Sequence, residues 1–256
     1  MSPSPSSSPF SHSRPAGEVV GIEADGLSKS YGPVAALVDV SFTIGYGSIA
    51  VMVGANGAGK STLLRILGTT ILPDKGTATV HGHDVVTDPT GSRRATGLVL
   101  GDERSWYWRL SGRQNLEFFA ALHGMGRRVA ASRTVELLKM VQLDDVADRR
   151  FDRYSSGMKA RLSIARALLV DPPVLLLDEP TRTLDPLVAN TFRRLVVDFA
   201  RDERKAVLWV THDLQEAAAV GHELLVLASG AVALRRASVP GPYQLGAMLE
   251  EIEGLG

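Results

Sequence analysis

The chain has no cysteine among its 256 residues. That excludes disulfides, zinc–thiolate sites and thiol nucleophiles, and it fits a reducing compartment. No apolar run reaches the ~18 residues that a membrane-spanning helix needs, so a membrane role would have to be carried by another chain. Charge of one sign is lacking too: 28 basic and 28 acidic residues leave a formal net charge of +0. Bulk electrostatics therefore give no reason to expect a nucleic-acid partner. There is no internal repeat. Residues Met1 to Pro15 are rich in Ser and Pro and lack both an apolar stretch and early basic residues, so they are read as a disordered tail rather than a signal peptide.

What is present is ordinary globular material, 45% hydrophobic and 22% charged, enough for one core with an insertion. Strand-like segments run through Val19–Ala50 and Ile49–Val53, and a helix is expected over Lys60–Leu67,. A turn at Pro73–Gly76 leads to a strand over Thr77–Val80, and Gly97–Leu100 is another apolar strand. Ser111 and Gln114 have the spacing of a capping box and open a helix through Leu122. A second helix is expected over about Ala130–Val141, with no strong strand between Asp102 and Tyr154. The remainder alternates. Helices are expected at Ser155–Val170, Pro186–Arg201 and Asp213–Val220, with strands at Val174–Leu177, Ala206–Val210 and Leu224–Ala228. Ser229-Gly230 reads as a hairpin turn into Val232–Leu234. Alternating strands and helices argue for a largely parallel sheet covered on both faces.

Two glycine-rich segments carry the chemistry. Gly54-Ala55-Asn56-Gly57-Ala58-Gly59-Lys60-Ser61 matches G-x-x-x-x-G-K-[ST], after a strand and at the start of a helix,. Glycines allow the backbone N–H groups to turn inward around phosphates, and the helix N-terminus favours anions. Lys60 is expected to reach the β- and γ-phosphates, with Ser61 as a ligand for Mg²⁺. Asp178 ends an apolar strand, at the sheet edge where α/β ligands bind, and is the second expected metal ligand. Glu179 follows it. Strand alternation points its side chain elsewhere, which suits polarising an attacking water. The bland reading of the pair is two surface acids at a strand end.

The second segment is Tyr154-Ser155-Ser156-Gly157-Met158. With it the chain, over about Val19–Leu234, resembles the nucleotide-binding subunits of ABC transporters. The segment looks like that family's LSGGQ signature, followed by Arg161 and Ile164–Leu168 as the signature helix is. Asp178-Glu179-Pro180-Thr181 resembles its Walker B, Leu184-Asp185 its D-loop, and Thr211-His212-Asp213 its switch histidine. Tyr31 sits where the family carries an aromatic that stacks on adenine.

The resemblance implies an α/β fold: a P-loop NTPase, RecA-like core with a mainly parallel sheet, an antiparallel β subdomain and a helical insertion at about 102–157. Residues 19–240 would form the ATPase domain, 1–18 a tail, and 241–256 a short C-terminal helix or tail. ATP and Mg²⁺ are the implied ligands, held by Tyr31, Gly54, Asn56, Gly57, Ala58, Gly59, Lys60, Ser61 and Thr62. A partner copy's Ser155, Ser156 and Gly157 would close the other side, with Asp185 linking the two sites. His212 would bond the γ-phosphate and orient the water held by Glu179. Taken alone, His212 reads as a surface or capping residue and Tyr31 as a half-buried aromatic. His81, His83, His123 and His222 suggest no partners and read as surface residues.

The implied function is ATP hydrolysis at the cytoplasmic face of the membrane, in a homodimer or heterodimer. It would power a separate ABC-2-type integral membrane permease, an exporter. A regulatory cassette with weak turnover and a non-transport ABC ATPase are the alternatives. Two departures from the family pattern matter. Ser156 and Met158 replace a glycine and a glutamine in the signature; the serine keeps its backbone N–H, so phosphate contact is expected to survive. The Q-loop glutamine expected after Leu100 is missing, and the sequence reads Gly101-Asp102-Glu103-Arg104. Asp102 or Glu103 is the candidate to replace it near Mg²⁺. Trp106, Tyr107 and Trp108 cannot all face one core, so at least one is expected to be exposed. They form either a socket for a partner's helix or a local core under the insertion.

Overall fold

The computed structural model describes residues 20–100 and 106–254. Two sheets organise it. A six-stranded sheet has the order β10-β9-β3-β8-β7-β6. Its strands are β3 (Ile49–Val53), β6 (Thr96–Val99), β7 (Val174–Asp178), β8 (Ala206–Val210), β9 (Glu223–Ala228) and β10 (Ala231–Arg236). All neighbours pair in parallel except β10, which turns back on β9 as an antiparallel edge. A four-stranded sheet of order β2-β1-β4-β5 comprises β1 (Ile22–Tyr31), β2 (Val34–Ile44), β4 (Lys75–Val80) and β5 (His83–Asp84), all antiparallel.

The central strands are apolar throughout because both their faces are covered. Alternate residues divide between two clusters. Val51, Leu175, Leu177, Val207 and Trp209 pack with the helices of the insertion and with the later helices. Met52, Val174, Leu176, Leu208 and Leu225 pack on the opposite face against the antiparallel sheet and α1 (Lys60–Leu67). Gly21 lies where these layers touch: a Cβ on it would come within 2.1 Å of the Ala206 Cβ.

The described part of the insertion holds α3 (Gly112–Leu122), α4 (Arg127–Met140) and a 3-10 turn at Phe151–Arg153. Its strand-like pairing is a single bridge, Ser111 with Arg150. The capping box forms: Gln114 N donates to Ser111 Oγ at 3.1 Å, and Ser111 N to Gln114 Oε1 at 2.9 Å. Three of the capped helices begin at a side chain of the candidate site or next to one. These are α5 (Ser156–Ala167), α6 (Pro186–Asp202) and α7 (Leu214–Val220), and α8 (Pro242–Gly254) follows. Helix α5 therefore ends at Ala167 rather than Val170, and Ser155 and Asp213 are caps rather than first helical residues. A short helix, α2 (Pro89–Ala95), was not expected from periodicity; Asp88 caps it and Pro89 opens it,.

The aromatic run divides. Trp106 is buried and stacks on Phe151 with centroids 4.9 Å apart. Tyr107 and Trp108 are 48% and 45% exposed, so one ring serves the insertion's core and two face outward. Three of the four histidines read as partnerless, His81, His83 and His222, have partners, which lie far enough away in sequence or in irregular enough segments that periodicity does not reveal them. His83 Nδ1 is 2.7 Å from Asp88 Oδ2, His81 meets the Tyr46 hydroxyl, and Ile49 N donates to His222 Nδ1 at 3.1 Å.

Candidate functional site

The parallel strands deliver their next residues to one edge of the large sheet, and there an open cleft of about 870 Å³ forms,. Strand β3 runs into the loop Gly54–Gly59. Gly54, Gly57 and Gly59 have φ of 153°, 84° and 105°, where an L side chain is strained. Space is closed as well as angle: a Cβ on Gly54 would lie 2.0 Å from the Leu227 carbonyl oxygen, and one on Gly59 2.3 Å from that of Ala36. Helix α1 begins at Gly59 with no side chain capping its N–H groups. An N-terminus of this kind is an anion site. Lys60 Nζ donates back to the carbonyls of Gly54 at 2.6 Å and Ala55 at 2.8 Å, which braces the loop.

Ser61, in the first turn of α1, donates to Asp178 Oδ2 at 3.0 Å. Asp178 is the last residue of β7, so strand and helix bring a hydroxyl and a carboxylate together from 117 residues apart. Burial pushes the Asp178 carboxyl above the usual carboxylate range, and the Ser61 hydroxyl and the Lys60 and Arg65 charges oppose that,. Hard oxygen donors beside a phosphate loop suit Mg²⁺, which takes one or two protein oxygens and completes its shell with phosphate and water. Among the described residues no group of three or more His, Cys, Asp or Glu could hold a metal by itself. Glu103 lies outside the described residues.

Glu179 leaves the strand. Its φ is 47°, a left-handed conformation unusual for glutamate, and its N–H donates to the Val210 carbonyl at 3.0 Å,. The redirection comes from this backbone bend rather than from strand alternation alone. The bend carries Glu179 Oε1 to 2.7 Å from His212 Nδ1, just beyond β8. The glutamate side chain is 21% exposed and the histidine 63%. A carboxylate and an imidazole thus stand together at the cleft.

The other expected residues are placed as follows. Tyr31, Asn56, Thr62 and Ser156 line the same cleft, and Tyr31 remains 46% exposed. Ala58 is buried beneath the loop. Ser155 caps α5, accepting from Met158 N at 3.3 Å, so its hydroxyl proton is left to donate,. Asp185 caps α6, accepting from Val188 N at 3.1 Å. Gly157 sits where a Cβ would approach the Thr183 carbonyl to 3.3 Å. Tyr154 anchors the segment: its hydroxyl donates to the Val146 carbonyl at 2.9 Å, and burial raises its pKa. The motifs missed Lys159, Ala160, Ser163, Arg182 and Thr183, which also line the cleft. Lys159 Nζ lies 4.6 Å from the centroid of the Trp108 ring.

A phosphate loop, a hydroxyl–carboxylate pair and a carboxylate–imidazole pair at one sheet edge define a P-loop nucleoside triphosphatase. The sequence profile described as "ABC transporter" matches residues 37–182. The ATP-binding protein NatA of Bacillus subtilis is 36% identical over 80% of this chain and 82% of its own length. The daunorubicin resistance ATP-binding protein DrrA3 of Streptomyces coeruleorubidus is 40% identical, and the match covers 82% of this chain but 66% of that protein. Among solved structures, the ATP-binding cassette MJ0796, a dimer bound to ADP and Pi, has a TM-score of 0.78 at 27% identity. The match covers 86% of this chain and 99% of that one. The chain belongs to the ABC transporter family, as an ATP-binding and ATP-hydrolysing subunit. Among the described residues no helix is long and apolar enough to cross a membrane.

Proposed function

We propose that two such subunits close around two ATP molecules and power a separate permease of the ABC-2 type at the cytoplasmic face of a membrane, as an exporter. The similarity to resistance proteins of the DrrA type supports the direction. The Ser156 and Met158 variant of the signature supports the permease class, by resemblance. Loop Gly54–Gly59 and the α1 N-terminus bind the phosphates, and Lys60 leaves its carbonyls for the γ-phosphate. Tyr31 receives the adenine. Ser61 and Asp178 hold Mg²⁺, with Glu103 as a further candidate; the ion supplies charge neutralisation at the phosphates. Glu179 takes the proton from the attacking water, and His212 holds Glu179 in place and contacts the γ-phosphate. The partner copy's signature segment, from Ser155 to Gly157, covers the exposed side of each nucleotide. Asp185 lies beside that junction. Tyr107 and Trp108 offer the permease an aromatic contact on the insertion.

The observation that carries this reading is the contact between Glu179 and His212 at the edge where the phosphate loop opens. Glu179→Gln keeps the shape and removes the base. It is expected to bind ATP and to lose at least about a hundredfold in turnover. Wild-type turnover in that variant would remove Glu179 from the mechanism. A basal ATPase assay of the unaltered chain separates this reading from that of a regulatory cassette.

A further inference from the structure

Glu216 is a buried carboxylate that the chemistry above leaves unused. It is 2% exposed, in the first turn of α7. Three donors from three other parts of the fold converge on it. Arg193 Nε on α6 donates to Oε1 at 3.0 Å, Trp209 Nε1 on β8 donates to Oε2 at 3.1 Å, and the Thr181 hydroxyl donates to Oε1. Its own N–H donates to Asp213 Oδ1 at 3.1 Å. A carboxylate so deeply placed is unfavourable unless paired and hydrogen-bonded, and an apolar side chain could fill the space without that penalty.

Every arm of this junction leads to the site. Thr181 lies two residues after Glu179, in a turn where Arg182 N bonds the Glu179 carbonyl at 3.2 Å and Leu184 N bonds that of Thr181 at 2.9 Å. Trp209 precedes Val210, whose carbonyl holds the Glu179 N–H. Arg193 belongs to the helix that Asp185 caps. Asp213 follows His212.

We propose that Glu216 is a positioning residue that locks the turn after Glu179 to the helix after His212, and so sets the 2.7 Å contact between those two side chains. The inference rests on the roles given above to Glu179 and His212. The Glu179 side chain leaves the strand at a strained bend, so something beyond the strand must hold its turn; the buried junction does so from below.

Thr181→Val tests it most gently, because it removes one donor and leaves the carboxylate with two. The expected result is a kcat for ATP hydrolysis lower by about tenfold to a hundredfold, with KM for ATP unchanged. Thr181→Ser restores the hydroxyl and is expected to restore kcat. Glu216→Gln is expected to act in the same direction and more strongly, since its amide must turn an NH₂ toward a donor. If that variant does not fold, the threonine pair decides alone. Equal kcat in Thr181→Val and the wild type, or equal loss in Thr181→Val and Thr181→Ser, overturns the proposal. Glu179→Gln, assayed alongside, separates the two levels. If it is inactive while Thr181→Val is fully active, only the junction fails. If it turns over normally, the assigned base fails first.

Discussion

At the scale of single residues, the phosphate loop is where identity is most tightly constrained. Gly59 combines a φ of 105° with a backbone oxygen 2.3 Å from the place a Cβ would occupy. Gly59→Ala is therefore expected to displace the loop, lower the melting temperature and abolish nucleotide binding in a fluorescent-ATP titration. Lys60 makes a different point. Its two carbonyl contacts mark where an ammonium rests, and a phosphate offers a stronger, charge-assisted partner,. Lys60→Ala is expected to weaken ATP binding by about 3 kcal/mol, or roughly a hundredfold, which calorimetry would read directly. These residues were legible because they belong to one contiguous motif, whose spacing is read directly from the sequence,. Glu216 was not, since its partners come from a turn, a helix and a strand that only the folded chain brings together. A signal did exist: Glu216, Ala217 and Val220 share the buried face of α7, and a lone carboxylate on an apolar helical face is an anomaly worth pursuing.

At the scale of elements, helix starts carry the site. Ser155, Asp185 and Asp213 each cap a helix, and each lies inside or next to a motif. Capping fixes where the neighbouring functional side chain is presented. Asp213 accepts from both Gln215 N and Glu216 N. Asp213→Ala is expected to cost about 1 kcal/mol of stability in urea denaturation, and to lower kcat as well by loosening the start of the helix that carries Glu216 and directly follows His212. The parallel core was readable from its apolar strands, Val174–Asp178 and Ala206–Val210 above all, because strands buried on both faces leave no alternation to misread. Helix α2 was missed because seven residues give too short a stretch for a period, although Asp88-Pro89 announces its start,. The bend at Glu179 was also beyond reach. It depends on the Val210 carbonyl, which only the pairing of β7 with β8 brings alongside.

At the scale of the whole molecule, two sheets enclose one buried layer while a helical insertion packs on the opposite face of the larger sheet. The two sheets meet where Val38 N donates to the Gly230 carbonyl at 2.8 Å, close to the strand that carries Tyr31. The phosphate loop, the Glu179–His212 pair and Tyr31 thus line one cleft at the joined sheets. The cleft between those sheets and α5 is open, with Ser156 and Lys159 of α5 on its far wall. An open cleft with its machinery on one wall is what a second subunit would complete, and closing it would exclude water and strengthen every electrostatic contact inside. The most direct measurement is the mass in solution of Glu179→Gln with saturating ATP and Mg²⁺, by light scattering on a sizing column. The account predicts a stable dimer holding two ATP molecules, which falls back to monomer when nucleotide is removed. A protein that stays monomeric at every nucleotide concentration, alone and together with its membrane partner, would contradict it.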